Sequence, residues 1–505
     1  MLADVPKDKT QYLWTTGTVL AVAYPIFVAV WHDISRSYTI TPDADLVYLA
    51  EALRFVDGLS QRYFDHPAHT YIMGLGLWLK TFFLFGLSPE PSHNFAVKVQ
   101  DIDTHIQALT ITARYLSAVV CACFVGFVIW GTKQLNHSLP IAIMAGLIFA
   151  TSEGIASHAV ILRAELWSAF GLVAAFFFLL IADRSYGRKQ LWYLALAGFS
   201  VMISLESKIQ SIIPLLGMPI LILAQVERRE TKLNYLKWGQ IAAPLFFAVA
   251  VIIPMFILLT FSVIDGSSKS LGGIVLFLIM SYVTGSMFLY GYWKNISITE
   301  QLVGAVALAL GLALGTYLLF FWHSYNVLDL MVHFIDHMMG FSSLAHEEKS
   351  LSTTYIGDIS YQIVQRRISN TYLPIHLMEI FALCMIGYLG FKNLWRKALM
   401  VLLLLGFSLS IETAFGLRGF PSRYLIYTEI WIILALFINA RELFHGTNTR
   451  NRRFCLIMLV PIIAWNINIG LGEQIVPKQI KSNVCGQAQG YLAPELANRF
   501  QHYCN

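Results

Sequence analysis

Charge is what this chain has least of. Only 13% of its 505 residues are Asp, Glu, Lys or Arg, where a soluble domain carries roughly 25%. That shortage, with a mean hydropathy of +0.61, excludes a soluble globular protein and an intrinsically disordered one. A net charge of +5 is too dilute over this length for a surface that tracks nucleic-acid phosphates. Six cysteines are too few for a disulfide scaffold. There is no P-loop, no GxGxxG between strand and helix, no nucleophile elbow and no HExxH. Nucleotide-driven transport by this chain alone is therefore not indicated. What the chain does have is apolar: 57% hydrophobic and 14% aromatic residues. The reading is an all-α polytopic membrane protein.

A spanning helix needs about 20 mostly apolar residues. Candidate spans run near 11–31, 111–131, 139–158, 166–183, 191–206, 209–226, 238–264, 271–293, 301–322, 372–391, 398–415, 424–440 and 454–472, about thirteen in all. A further apolar run, 69–86, carries Lys80 and is ambiguous. If it does not span and the N-terminus is cytoplasmic, the cytoplasmic segments hold eighteen Lys and Arg. The short external connections then hold five: Arg163, Lys208, Lys269, Arg418 and Arg423. The positive-inside rule favours that arrangement. The expectation is a cytoplasmic N-terminus, an external C-terminus and an interfacial helix at 69–86, with the first span retained as an anchor. One membrane domain, 1–472, then carries a first external loop at 32–110 and a second at 323–371, with a short external tail at 473–505. Cys485 and Cys504 fall in that tail, where an oxidising compartment permits a structural disulfide. Cys121, Cys123, Cys384 and Cys455 lie in or beside spans.

The polar residues collect at the predicted external ends, and the central spans read as nearly free of charge. An ionisable group within a span costs several kcal/mol and marks function by default. In the first loop, Leu46, Leu49, Ala50 and Leu53 recur at helical spacing over 45–56, and Gly58 ends the run. Asp43 and Asp45 flank Ala44 at its start. An N-cap and a first-turn acid explain them structurally. A paired-carboxylate site explains them functionally, as a general base for an acceptor hydroxyl or as oxygen ligands of a divalent cation. Arg163 and Glu165 open a span, either as an interfacial anchor or as a phosphate-binding Arg beside an acid. Lys208 lies at an external turn, either snorkelling or binding. Arg418 and Arg423, with Gly and Pro between them, make a rigid turn suited to phosphate. His333 and His337 share a helical face, compatible with a metal or with an exposed amphipathic helix.

These residues resemble the GT-C glycosyltransferases, membrane enzymes that use polyprenyl-phosphate-linked sugars. Within them the pattern looks most like the bacterial aminoarabinose transferases and the relatives of protein O-mannosyltransferases. Four features carry the resemblance: Pro42-Asp43-Ala44-Asp45 with Tyr48, Gly58 and Asp65-His66-Pro67; Arg163 with Glu165; Lys208; and Arg423-Tyr424. Asp-Ala-Asp stands where the family usually has Asp-Glu, which leaves either Asp open as the base.

The resemblance implies attack of an acceptor hydroxyl on C1 of the donor sugar, with inversion. Asp45 or Asp43 would take the proton, and polyprenyl phosphate would leave. It implies Lys208, Arg163, Arg418 and Arg423 as stabilisers of the leaving phosphate. Glu165, His66, Tyr48 and Tyr424 are further site candidates. Some relatives use a divalent cation such as Mg or Mn, which Asp43, Asp45 and Glu165 could hold. The expected partners are the lipid-linked donor and a glycan, lipid or protein acceptor, as in lipopolysaccharide synthesis. The expected place is the bacterial inner membrane, with the site on the periplasmic face. A flippase or transporter of a lipid-linked saccharide is the alternative, and a polysaccharide polymerase or ligase a third.

Overall fold

The computed structural model describes residues 7–38, 42–59, 61, 68–92, 102–208, 211–225, scattered positions in 282–294, 298–320, 372–416, 422–440, 449–472 and 475. Among them every regular element is helical. In chain order these are α1 (Lys7–Trp31), α2 (Pro42–Val56), α3 (His69–Leu84), α4 (Ile102–Asn136), α5 (Leu139–Thr151), α6 (Glu153–Val160) and α7 (Ala164–Asp183). There follow α8 (Arg188–Ser207), α9 (Ile212–Gln225), α10 (Ile298–Phe320), α11 (Leu373–Phe391) and α12 (Trp395–Gly416). A 3-10 turn at Ser422–Tyr427, then α13 (Glu429–Phe437) and α14 (Thr449–Gly470), complete them.

Five of these helices are long and apolar enough to cross a bilayer, or six if α5 and α6 form one span. The chain is a multi-pass membrane protein. Eleven of the thirteen expected spans coincide with described helices. The span expected at 238–264 lies outside the described residues, and 271–293 is described only at scattered positions. The loop at 323–371 with His333 and His337 also lies outside them, as do His66, Arg418, Cys485 and Cys504. The single span expected at 139–158 is a bent pair: Ser152 breaks it, and α5 and α6 meet at 56°. The Ser152 hydroxyl accepts from the Ile155 amide at 3.4 Å, restarting the helix.

The first loop folds as its periodicity suggests. After α2, Gly58 takes φ 70°. The Leu59 amide returns to the Arg54 carbonyl at 2.8 Å and the Gly58 amide to Phe55 at 3.0 Å, the paired closure that glycine permits. α3 is 16 residues long, a rise of about 24 Å, short of the roughly 30 Å hydrocarbon layer. It packs against α2 and α4.

Among the described residues, the two largest apolar clusters organise the helices. The larger joins α4–α7 with α11–α13. The smaller joins α2, α3 and the first half of α4, with Leu162 and Ala164. α4 belongs to both because of its length. Its 35 residues rise about 52 Å, some 20 Å more than a bilayer core requires. The surplus is its polar first third, which carries Gln107, Thr112 and Arg114 into the first-loop layer.

Glycines set the spacing of α7, α8 and α10. A Cβ on Gly171 would lie 2.7 Å from the Ser200 carbonyl, and one on Gly315 would lie 2.5 Å from the Met202 Cβ. On Gly198 it would strike the Leu308 carbonyl, and on Gly311 the Ala195 carbonyl. Gly311 and Gly315 are four apart, the small-residue spacing that lets membrane helices approach closely. Gly311→Leu should therefore destabilise the detergent-extracted protein by about 3 kcal/mol or more. Gly406→Leu, on an exposed helical face with nothing within 4 Å, should leave it unchanged. Thermal unfolding of both variants checks this.

Candidate functional site

Arg114 is fully buried, and so is Asp45. Arg114 Nη2 lies 2.6 Å from Asp45 Oδ2, and Nε lies 3.2 Å from the same oxygen. Nη1 donates to the carbonyls of Ile34 at 3.0 Å and Arg36 at 2.5 Å, and Nη2 reaches Ser37 at 3.4 Å. Asp45 Oδ1 accepts from the Leu162 amide at 3.2 Å. One ion pair thus joins α2, α4, the segment after α1 and the turn between α6 and α7. Asp45 is neither an N-cap nor a solvated first-turn acid. Residues two apart on a helix are about 200° apart around its axis. Asp43 and Asp45 therefore occupy different register positions around α2, and the side chain of Asp43 lies outside the described residues.

A second buried pair lies at the ends of α7 and α8. Lys208 Nζ is 3.4 Å from Glu165 Oε1, with side chains 3% and 1% exposed. Lys208 ends α8 in extended conformation, turned inward rather than snorkelling. Around it, Thr70 and Ser207 hydroxyls are 2.8 Å apart, and the Ser204 hydroxyl donates to the Ser168 carbonyl at 2.7 Å. Tyr71 lies between the two pairs. Burial pushes its phenol well above the usual range, with Tyr48 next in effect and the Asp45 and Glu165 carboxylates acting in the same direction. Tyr48 stands edge-on to Tyr71 at 5.1 Å, and Tyr71 edge-on to Trp167 at 5.9 Å. Glu206, 2% exposed, has neither carboxylate oxygen hydrogen-bonded.

The structure thus brings together Asp45, Tyr48, Glu165 and Lys208, with Arg163 as the residue before α7. Arg423 and Tyr424 fall on the 3-10 turn, and their side chains, like that of Asp43, lie outside the described residues. The divalent-cation expectation rests on Asp43, Asp45 and Glu165. Among the described residues no three His, Cys, Asp or Glu gather as a metal site. Asp45 is already neutralised by Arg114 and Glu165 by Lys208. The third proposed ligand, Asp43, has its side chain outside the described residues.

Three features escaped the sequence reading. Arg114 was visible only as an Arg four residues into an expected apolar span, a position whose cost is itself a signal. Arg36 is 7% exposed, and its Nη2 donates to the Val160 carbonyl. Third, the expected spans are not nearly charge-free, since Glu153 and Glu429 meet at the α5–α6 break. Glu429 Oε2 accepts from the Gly154 amide at 2.8 Å. A Cβ on Gly154 would meet that oxygen at 2.6 Å and the Ile426 backbone at 2.8 Å. Gly154 therefore lets the 3-10 turn and α13 dock against the broken helix.

No family model and no curated protein sequence matches this chain. Among solved structures it is similar to the archaeal oligosaccharyltransferase AglB from Archaeoglobus fulgidus, in complex with an inhibitory peptide and a dolichol-phosphate. The identity is 11% and the TM-score 0.45, over 98% of this chain. The chain spans 60% of the length of that protein. A superposition this loose leaves the site to be read from its own side chains.

Removing one partner of a buried pair leaves an uncompensated charge, at a cost of about 3–5 kcal/mol. Asp45→Asn and Arg114→Met should each lower stability on that scale. The double variant should lose clearly less than the sum, because it leaves no orphaned charge. A double-mutant cycle by thermal unfolding measures the coupling.

Proposed function

We propose that this chain is a GT-C-like membrane glycosyltransferase. It moves a sugar from a polyprenyl-phosphate donor to an acceptor hydroxyl of an envelope glycan, lipid or protein, with inversion. The observation that supports this best is the buried Lys208–Glu165 pair. It lies where the ends of α7 and α8 meet α3, beside the first-loop layer, so that on this reading the donor phosphate meets a fixed cation at the edge of the membrane core. A transporter would hold its substrate nearer the midplane of the spans.

The chemistry follows from position. As the C1–O bond to phosphate breaks, negative charge grows on the leaving oxygens. An ammonium already fixed in a water-poor site stabilises that charge without reorganising. Lys208 is the primary cation, exchanging part of its attraction to Glu165 for the phosphate. Arg163 supports it, and Arg418 and Arg423 are carried with it from the resemblance. Asp45 positions α2 rather than acting on substrate, because Arg114 and the Leu162 amide hold its two oxygens. Asp43, at another register position of α2, is the proposed base for the acceptor hydroxyl. No step is routed through a metal. The active site faces the external side of the bacterial inner membrane, in a topology with the N-terminus inside and about thirteen spans.

Reconstituted protein given a polyprenyl-phosphate sugar and an envelope acceptor should form a glycoside of inverted configuration. Lys208→Gln should lower turnover about 10²-fold, and Asp43→Asn about 10²–10⁴-fold. Unaltered transfer in both variants, or no transfer by the wild type with any polyprenyl-phosphate sugar, sinks the reading.

A further inference from the structure

Arg36 stands on the segment between α1 and α2, 7% exposed. Its position is fixed from both sides of the backbone. Its carbonyl accepts from Arg114 Nη1 at 2.5 Å and from Gln107 Nε2 at 3.0 Å, and its amide donates to the Asp33 carbonyl at 2.9 Å. The side chain crosses to the end of α6, where Nη2 meets the Val160 carbonyl. The other two nitrogens, Nε and Nη1, are buried and donate to nothing.

The acids nearby are committed elsewhere. Asp45 belongs to Arg114 at 2.6 Å, and Asp33 Oδ1 receives the Ser35 amide at 3.1 Å. Burial, and then the neighbouring Arg114, lower the pKa of Arg36 to about 10, against the smaller opposing pull of Asp45 and Asp33. Protonation holds below that value, so the guanidinium is cationic at neutral pH. A buried cation with two idle donors is a cost to the fold. Arginine is also the side chain whose planar donors best match a phosphate.

We propose that Arg36 is an anion-binding residue, and that its idle Nε and Nη1 take a phosphate group beside the 34–37 segment. The phosphate is either a lipid headgroup or a free phosphate ester. On the transferase reading it is the donor's own phosphate, but the site does not require that reading. Asp45 brings that segment and the 160–163 turn together by accepting from Leu162 while holding Arg114. Arg36 is therefore held by the same Asp45–Arg114 assembly that joins α2 to the turn before α7.

The test is binding by the full chain in nanodiscs, with three probes: a polyprenyl phosphate, phosphatidic acid and inorganic phosphate. Arg36→Met should weaken the preferred probe about tenfold or more, the loss of a charge-assisted contact. Its melting temperature should hold or rise, since a purely structural Arg would lower it. Arg36→Lys keeps the charge and loses the planar donors, so its affinity should fall severalfold. It also serves as the readout if Arg36→Met does not fold. Preference for polyprenyl phosphate, lost with Arg36, supports both the site and the donor reading. Arg36-dependent binding of phosphatidic acid or inorganic phosphate without that preference supports the site and removes the donor reading. Wild-type affinity in Arg36→Lys and Arg36→Met for all three probes overturns the proposal.

Discussion

The guanidinium of Arg114 holds the first-loop layer to the membrane core. All three of its nitrogens are used, on Asp45 and on the carbonyls of residues 34, 36 and 37. That saturation is why a charge can stay in a fully buried position, where an unpaired ion would cost several kcal/mol. It also explains why α4 is so long. A helix that merely crossed the bilayer would end near residue 114, with no turns left to meet α2 and α3. The excess length turns a span into a post, and Arg114 is the bracket on it. Everything proposed for the site, from Asp43 on α2 to Arg36 before it, inherits its position from this contact.

The other half of the site is placed by sterics. Lys208 is delivered by α8, and α8 is seated between α7 and α10 by contacts that only glycine allows. The hydroxyl bonds from Ser204 to α7 and from Ser207 to α3 then set the rotation of its last turn. Serine and threonine suit that role in a membrane, because they join helices without a net charge. The broken helix supplies the third wall. Its bend at Ser152 frees backbone amides that Glu429 and the Ser152 hydroxyl satisfy, as a span interrupted in lipid requires. The turn carrying Arg423 is docked in the same stroke.

Much of this was legible in the sequence where the signal is local. The extent of α2, its stop at Gly58 and the positions of most described helices follow from periodicity and from glycine's access to positive φ. Asp45, Glu165 and Lys208 stood out as polar residues at the ends of apolar runs. What stayed hidden is who meets whom. Asp45 and Arg114 are 69 residues apart, and Arg36 and Val160 are 124 apart. No periodicity encodes those separations. Of the two alternatives for Lys208, snorkelling or binding, the sequence left snorkelling open for a related reason. Hydropathy assigns a residue to the end of a span, but not to the side facing lipid or the side facing another helix. The bend at Ser152 was missed because α5 and α6 are both apolar, and a window average runs straight across the break.

Among the described residues, the buried charges around the first-loop layer fall into two kinds, and the difference bears on function. Arg114 with Asp45 and Lys208 with Glu165 are each compensated. A compensated pair can fix one arrangement of helices without doing chemistry, so Lys208–Glu165 supports the transferase reading by its position at the ends of α7 and α8 and not by its burial alone. Arg36 and Glu206 are different. Each is nearly inaccessible, and each carries polar atoms that bond to nothing. Replacement by an apolar side chain of similar size would cost the fold little and could stabilise it. A group the fold would be better without is kept for something outside the fold, and sites of this kind are where local rules are expected to break. The Arg114–Asp45 pair therefore describes how the site is built. The unpaired groups describe what it is built to meet, and for Arg36 the matching chemistry is an anion.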